Sequence, residues 1–290
     1  MPTKKNRFYV RQILRLGDHK KTHASIAYKQ ALIRSDTLWK TDLKRQSIVI
    51  AQTLLYYDAY YTSMKVFAGF TLGLFLIGLA SFTMIQKKKI IFFGDSITQA
   101  GVNPGGYIVR IGELATKENQ AASYDFIGAG VGGNKVYDLY LRLEDDVLSK
   151  KPDIVIIYVG VNDVWHKRSY GTGTDPDKFE KFYNALIKKM QAENIKLILC
   201  TPAVIGERTD FSNELDGDLN NYSTIIRNIA KKNDLPLVDL RKAFLDYNKQ
   251  NNVDNKESGI LTTDRVHLNE KGNQLVADEM WKTIKSLSSK

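Results

Sequence analysis

Residues 153–159 read Asp-Ile-Val-Ile-Ile-Tyr-Val, an apolar run with no polar alternation. Such a strand must be covered on both faces, which is how parallel sheets are built. Four more short runs have strand character: 90–93 (Ile-Ile-Phe-Phe) ending at Gly94, 124–127 ending in glycines, 195–200 stopped by Thr201-Pro202, and 236–238. Helical spacing fills the stretches 136–148, 179–192, 219–232, 241–247 and 270–287. Strands alternating with helices imply right-handed crossovers and a parallel α/β sheet of about five strands, with helices on both faces. Ligands of such sheets bind at the carboxyl ends of the strands. A chain of 290 residues can bury a large core, so it needs no disulfide or metal staple. Its one cysteine, Cys200, lies in an apolar run and reads as a buried hydrophobe.

The formal charge of +10 belongs to one end of the chain. Residues 1–65 hold 13 Lys+Arg against 4 Asp+Glu, a net of +9, which leaves +1 for the rest. A basic nucleic-acid surface is therefore not expected on the body of the protein. Residues 66–85 carry no charge and are flanked by Lys65 and by Lys87-Lys88-Lys89. Twenty largely apolar residues suffice for a membrane-spanning helix. The same stretch also reads as an export signal, with Gly78-Leu79-Ala80 as the small-x-small cleavage site. Met64-Lys65 resembles a translation start. The expected organisation is a basic extension over 1–63, a signal or anchor over 64–86 and a hydrolase domain over 87–290. His19 and His23 are four apart, but no third metal ligand is evident, and no metal site is expected.

Three glycine-bearing segments follow the first three strands: 94–98, 128–134 and 160–165. In a parallel sheet they share one edge, and residues 264–267 (Asp-Arg-Val-His) lie just before the last helix. Ester cleavage needs a hydroxyl whose proton a neighbouring base can take. The base needs a partner that fixes its tautomer and stabilises its charged form. Asp264 and His267, three apart in a turn, suit that pairing, and Ser96 supplies the hydroxyl. The oxyanion needs donors, which glycine-loop N–H groups and the Asn162 amide can provide.

Gly94-Asp95-Ser96-Ile97-Thr98, Gly132-Gly133-Asn134, Gly160-Val161-Asn162-Asp163 and Asp264-Arg265-Val266-His267-Leu268-Asn269 resemble the four signature blocks of the SGNH (GDSL-type) hydrolases, in the family's order. The resemblance runs from Lys89 to the C-terminus. It implies a flavodoxin-like three-layer fold, Ser96 as nucleophile, His267 as base and Asp264 as its partner. It further implies an oxyanion hole from the Ser96 N–H, a glycine of the second block and the Asn162 side chain. Gly133 is preferred to Gly132 or Gly130 for that glycine. Position 265 is Arg where many relatives carry Gly.

Residues 128–133 also match G-x-G-x-x-G, but the next strand ends without the carboxylate a dinucleotide site needs, so no cofactor is expected. His166 competes with His267 as base, but its third upstream neighbour, Asp163, lies in the oxyanion segment. Asp163 itself reads as a brace for its own loop. The expected activity is hydrolysis of a small-molecule or glycan ester, with O-acetyl groups on an extracytoplasmic carbohydrate favoured. Trp165 and Tyr170 would offer a sugar ring an aromatic platform. The competing readings are a lysophospholipase or acyl thioesterase of the same fold, a non-catalytic module on a degenerate scaffold, and a membrane-linked interaction protein acting through residues 1–65.

Overall fold

The structure, a computed structural model, describes residues 43–80 and 86–288. The chain falls into two units, divided after Met84. In the first, α1 (Leu43–Ala80) is one unbroken helix that runs through the expected boundary at 63/64. Its tyrosines 56, 57, 60 and 61 are exposed, and the Lys65 ammonium stands 4.8 Å from the centre of the Tyr61 ring. Among the described residues no helix is long and apolar enough to cross a membrane. The end of the expected span, 81–85, lies outside the described residues, as do His19 and His23.

The second unit is built on five parallel strands: β1 (Lys88–Gly94), β2 (Tyr124–Gly130), β3 (Ile154–Tyr158), β4 (Lys196–Cys200) and β5 (Leu237–Val238). Their order is β2-β1-β3-β4-β5, the flavodoxin-like order. Helices α2 (Ser96–Ala100) and α3 (Tyr107–Lys117) join β1 to β2. Next come α4 (Val136–Leu141) and α5 (Leu143–Asp146), then α6 (Val161–Ser169) and α7 (Pro176–Ala192) after β3. After β4 and β5 follow α8 (Asp216–Lys232), α9 (Leu240–Asn251) and α10 (Glu270–Ser288). α3 packs on α10, while α4 and α8 pack on α7, so the sheet lies between two helical layers. Residues 90–93 of β1 and all of β3 are buried, each large side chain contributing about 1.5–3 kcal/mol.

Three elements differ from the pattern reading. The expected helix over 136–148 breaks at Arg142, whose ψ of 9° ends α4. There its guanidinium reaches back to the carbonyls of Gly94 and Ala129, at 2.7 and 3.0 Å. The segment after β3 is not a loop: Gly160, at φ +135°, turns the chain straight into α6. Residues 96–100 and 107–117 form α2 and α3, helices that the glycines at 101, 105, 106 and 112 obscure in the pattern.

The switch in strand order lies between β1 and β3, so the residues following these two strands flank the natural cleft. Gly130, paired with Gly94 across the sheet, is pressed on the backbone of Thr98 and Gln99. A Cβ there would push α2, and Ser96 with it, away from β2. Gly130→Ala is expected to lose about 1–3 kcal/mol of stability, as overpacked sites do, and to lower esterase activity further than the unfolded fraction explains. Urea unfolding alongside 4-nitrophenyl acetate hydrolysis checks this.

Candidate active site

Ser96 sits where a buried strand becomes a helix. Asp95 caps α2, its Oδ1 accepting from the Ile97 N–H at 3.0 Å, so Ser96 is the first helical residue. Its own N–H is then among the helix-start donors that have no partner within the helix. Burial pushes the Asp95 carboxyl up to about 7, against the opposing pull of the Ile97 N–H and the charges of His267 and Arg142.

The Asp264-x-x-His267 spacing works through both carboxylate oxygens. Oδ1 accepts from the N–H groups of Val266 and His267, at 3.1 and 2.8 Å, and so closes the turn. Oδ2 lies 2.7 Å from His267 Nδ1. Burial works against the charge on Asp264, yet the ring and the two N–H groups outweigh it and hold the carboxyl below its ordinary range. With a proton on Nδ1 donated to Asp264, Nε2 is free to accept, and it lies 2.9 Å from Ser96 Oγ. Arg265, inside this turn, has φ +85°, a region that favours glycine. An L side chain pays about 1–2 kcal/mol there. The half-exposed Arg265–Glu257 pair, 2.8 Å apart, returns at most about 1 kcal/mol, so the surrounding structure bears the rest.

The expected donors follow β2 and β3, the neighbours of β1 in the sheet. Asn162 is buried in the first turn of α6, its Nδ2 donating to Asn134 O at 3.1 Å. Asn134 Oδ1 in turn accepts from Arg142 Nε at 2.7 Å. One guanidinium therefore ties the end of β1, the end of β2 and the second motif block together. Gly130 belongs to β2, whereas Gly132 and Gly133 form the turn beyond it. Gly133, at φ +76°, has its carbonyl held by Lys135 Nζ at 2.9 Å.

His166 stands beside Gly133 and meets Tyr170 edge-on at 4.9 Å between ring centres. Partial burial, with the nearby Lys135 charge, lowers its pKa. The carboxylate at its D-x-x-H spacing faces away: Asp163 accepts from Val136 N–H at 3.2 Å and from the Thr174 hydroxyl at 2.5 Å. Asp163 thus braces the start of α4 against α6, a longer reach than its own loop. Arg142, Lys135 and Thr174 carry no motif signal. Only the position of Arg142 inside an otherwise helical stretch hints at a special contact.

The arrangement can move a proton from a hydroxyl to an imidazole whose charged form is stabilised by a carboxylate, beside a cluster of N–H donors. Residues 92–275 match the GDSL-like Lipase/Acylhydrolase family. Over 206 residues the chain is 28% identical to an acetylxylan esterase of Geobacillus stearothermophilus, covering 66% of this chain and 90% of that one. It is 27% identical over 214 residues to the uncharacterized lipoprotein YqeF of Bacillus subtilis (strain 168), covering 65% and 86%. The crystal structure of the acetyl xylan esterase AlAXEase is similar with a TM-score of 0.67 and 64% identity, covering 68% of this chain and 99% of that one.

Burial pushes the Asp163 carboxyl up from 3.8 to about 7. The folded state therefore keeps a proton that the unfolded chain releases, and stability is lost as pH rises from about 4 to about 7. Asp163→Asn imitates the protonated side chain and keeps an acceptor at Oδ1. Its melting temperature is expected to fall less than the wild type's across that interval, measured by thermal unfolding in a buffer series.

Proposed function

Because the chain belongs to the GDSL-like Lipase/Acylhydrolase family and is a carboxylic ester hydrolase, we propose that it removes O-acetyl groups from an extracytoplasmic carbohydrate through an acyl-enzyme on Ser96. The observation that carries this reading is the hydrogen-bonded run from Asp264 through His267 to Ser96. Ser96 Oγ attacks the acetyl carbonyl carbon while its proton passes to His267 Nε2. Asp264 stabilises the imidazolium that results. The oxygen that gains charge is met by the N–H groups of Ser96 and Gly133 and by Asn162 Nδ2. Collapse breaks the bond to the sugar oxygen, which leaves with the proton from His267. Water, deprotonated by the same ring, then attacks the acetyl-enzyme, and acetate and free Ser96 are released.

The acetyl group and the sugar are supported by the acetylxylan esterases among the relatives, one of which shares 64% identity. Tyr170 and Trp165, next to His166 on α6, give a sugar ring an aromatic contact beside Gly133. Acetate release from acetylated xylan is expected for the wild type, with a loss of at least about 1,000-fold in Ser96→Ala, as for removal of a nucleophile. Activity confined to long-chain acyl esters would replace the sugar assignment with a lysophospholipase or thioesterase one and leave the mechanism standing.

The charge-free stretch 66–85 takes the hydrolase domain, residues 87–290, out of the cytoplasm, and the lipoprotein relative supports such a location. N-terminal sequencing of native material is expected to show either a start at Ser81, after cleavage, or an intact 66–85 holding the enzyme to a membrane. A native cytosolic chain would overturn the location.

A further inference from the structure

The geometry points to Glu207 as a positioning residue for the loop that carries Asp264 and His267. Glu207 lies outside all four motif blocks, in the segment after β4, and is 1% exposed. A carboxylate taken this far out of water is tolerated only when its oxygens are hydrogen-bonded. Here three successive backbone amides supply the bonds. Ile260 N–H donates to Oε2 at 2.8 Å, and Leu261 and Thr262 N–H donate to Oε1 at 2.6 and 2.9 Å.

Those three residues are the foot of the catalytic loop. Thr262 bridges to Leu268, Asn269 N–H donates to Leu261 O at 3.0 Å, and Thr263 N–H donates to His267 O at 2.8 Å. The peptide planes that Glu207 fixes are thus one bridge away from His267. The neighbouring residue holds the other end of the loop: Gly206 N–H donates to the carbonyl of Arg265, the residue with positive φ, at 2.9 Å. Glu207 is itself anchored, its N–H donating to Glu257 O at 3.0 Å and its carbonyl accepting from Asn252 Nδ2 at 2.7 Å. Foot and apex of the loop are therefore held by two consecutive residues. Ser96 comes from the opposite end of the domain sequence, so the 2.9 Å contact between His267 Nε2 and Ser96 Oγ depends on where this loop is pinned.

The inference rests on the proposed roles of Ser96 and His267. Misplacing a reacting group by about 1 Å can reduce rate by about 100-fold. Glu207→Gln keeps the volume, removes the charge and sets an amide NH2 against one of the three N–H groups. With 4-nitrophenyl acetate the variant is expected to lose about 10- to 100-fold in kcat, with KM within about twofold. Fluorophosphonate labelling of Ser96 should slow in proportion. The acid limb of kcat/KM should also move to lower pH, because a ring less well seated on Asp264 gains less from being charged. Asp264, and Asp95 with burial opposing its charge, are carboxyl groups coupled to that ring. A residue that only stabilises the fold would leave the limb unmoved and lower the folded fraction instead. Glu207→Asp, with the charge kept on a shorter arm, is read in the same way if the Gln variant does not fold. Unchanged kcat and acid limb in folded variants, or variants that only unfold, overturn the assignment. A wild-type enzyme that neither hydrolyses the ester nor reacts with fluorophosphonate would instead sink the proposed function.

Discussion

The hydrogen bond from Ser96 Oγ to His267 Nε2 joins residues 171 positions apart, and the rest of the domain exists around that closure. Neither residue is held by the other. Ser96 is fixed by β1, which is buried on both faces and flanked by β2 and β3. His267 is fixed by a short loop ahead of α10, and α10 packs on α3, the helix that follows Ser96. Tyr107 links these parts directly: its N–H donates to Asn273 Oδ1 of α10 at 2.9 Å, and its hydroxyl to Thr98 of α2 at 3.0 Å. Ser96 and His267 are brought to one edge by packing on the sheet, with strong polar contacts added only where angle matters.

Those polar contacts are divided between the two halves of the site. On the Asn162 side, Arg142 gathers Gly94, Ala129 and Asn134, and Asp163 joins the starts of α4 and α6. On the His267 side, Asp264 shapes its own turn before it meets the ring. The buried hydrogen bonds carry this work, since exposed ion pairs such as Arg168–Glu214 contribute about 0–1 kcal/mol each. Burial drives the carboxyls of Asp95 and Asp163 toward the neutral form, and the N–H and hydroxyl donors that hold them pull the other way.

The five strands and their parallel pairing were legible because an apolar run without alternation admits few other homes. The long helices 179–192, 219–232 and 270–287 were legible from their spacing, each within a few residues of its observed bounds. The motif residues were legible because chemistry restricts residue type: Ser96, Asp264 and His267 come together as their spacing and order suggested. Tertiary contacts hid the rest. Arg142 breaks a helix for the sake of carbonyls 13 and 48 residues away, which no local pattern encodes. Arg265 occupies a glycine-like conformation that only its neighbours make tolerable. The start of α6 looked like a loop because Gly160 and Asn162 are also turn formers.

β1 receives the chain at Lys88 and releases it at Gly94, next to the reacting hydroxyl. Seven extended residues span about 20 Å. Whatever is fastened upstream of Lys88 is therefore fastened to the end of that strand remote from Ser96. Seven strand residues thus separate the point where the chain enters the sheet from the turn into α2 that carries the Ser96 hydroxyl.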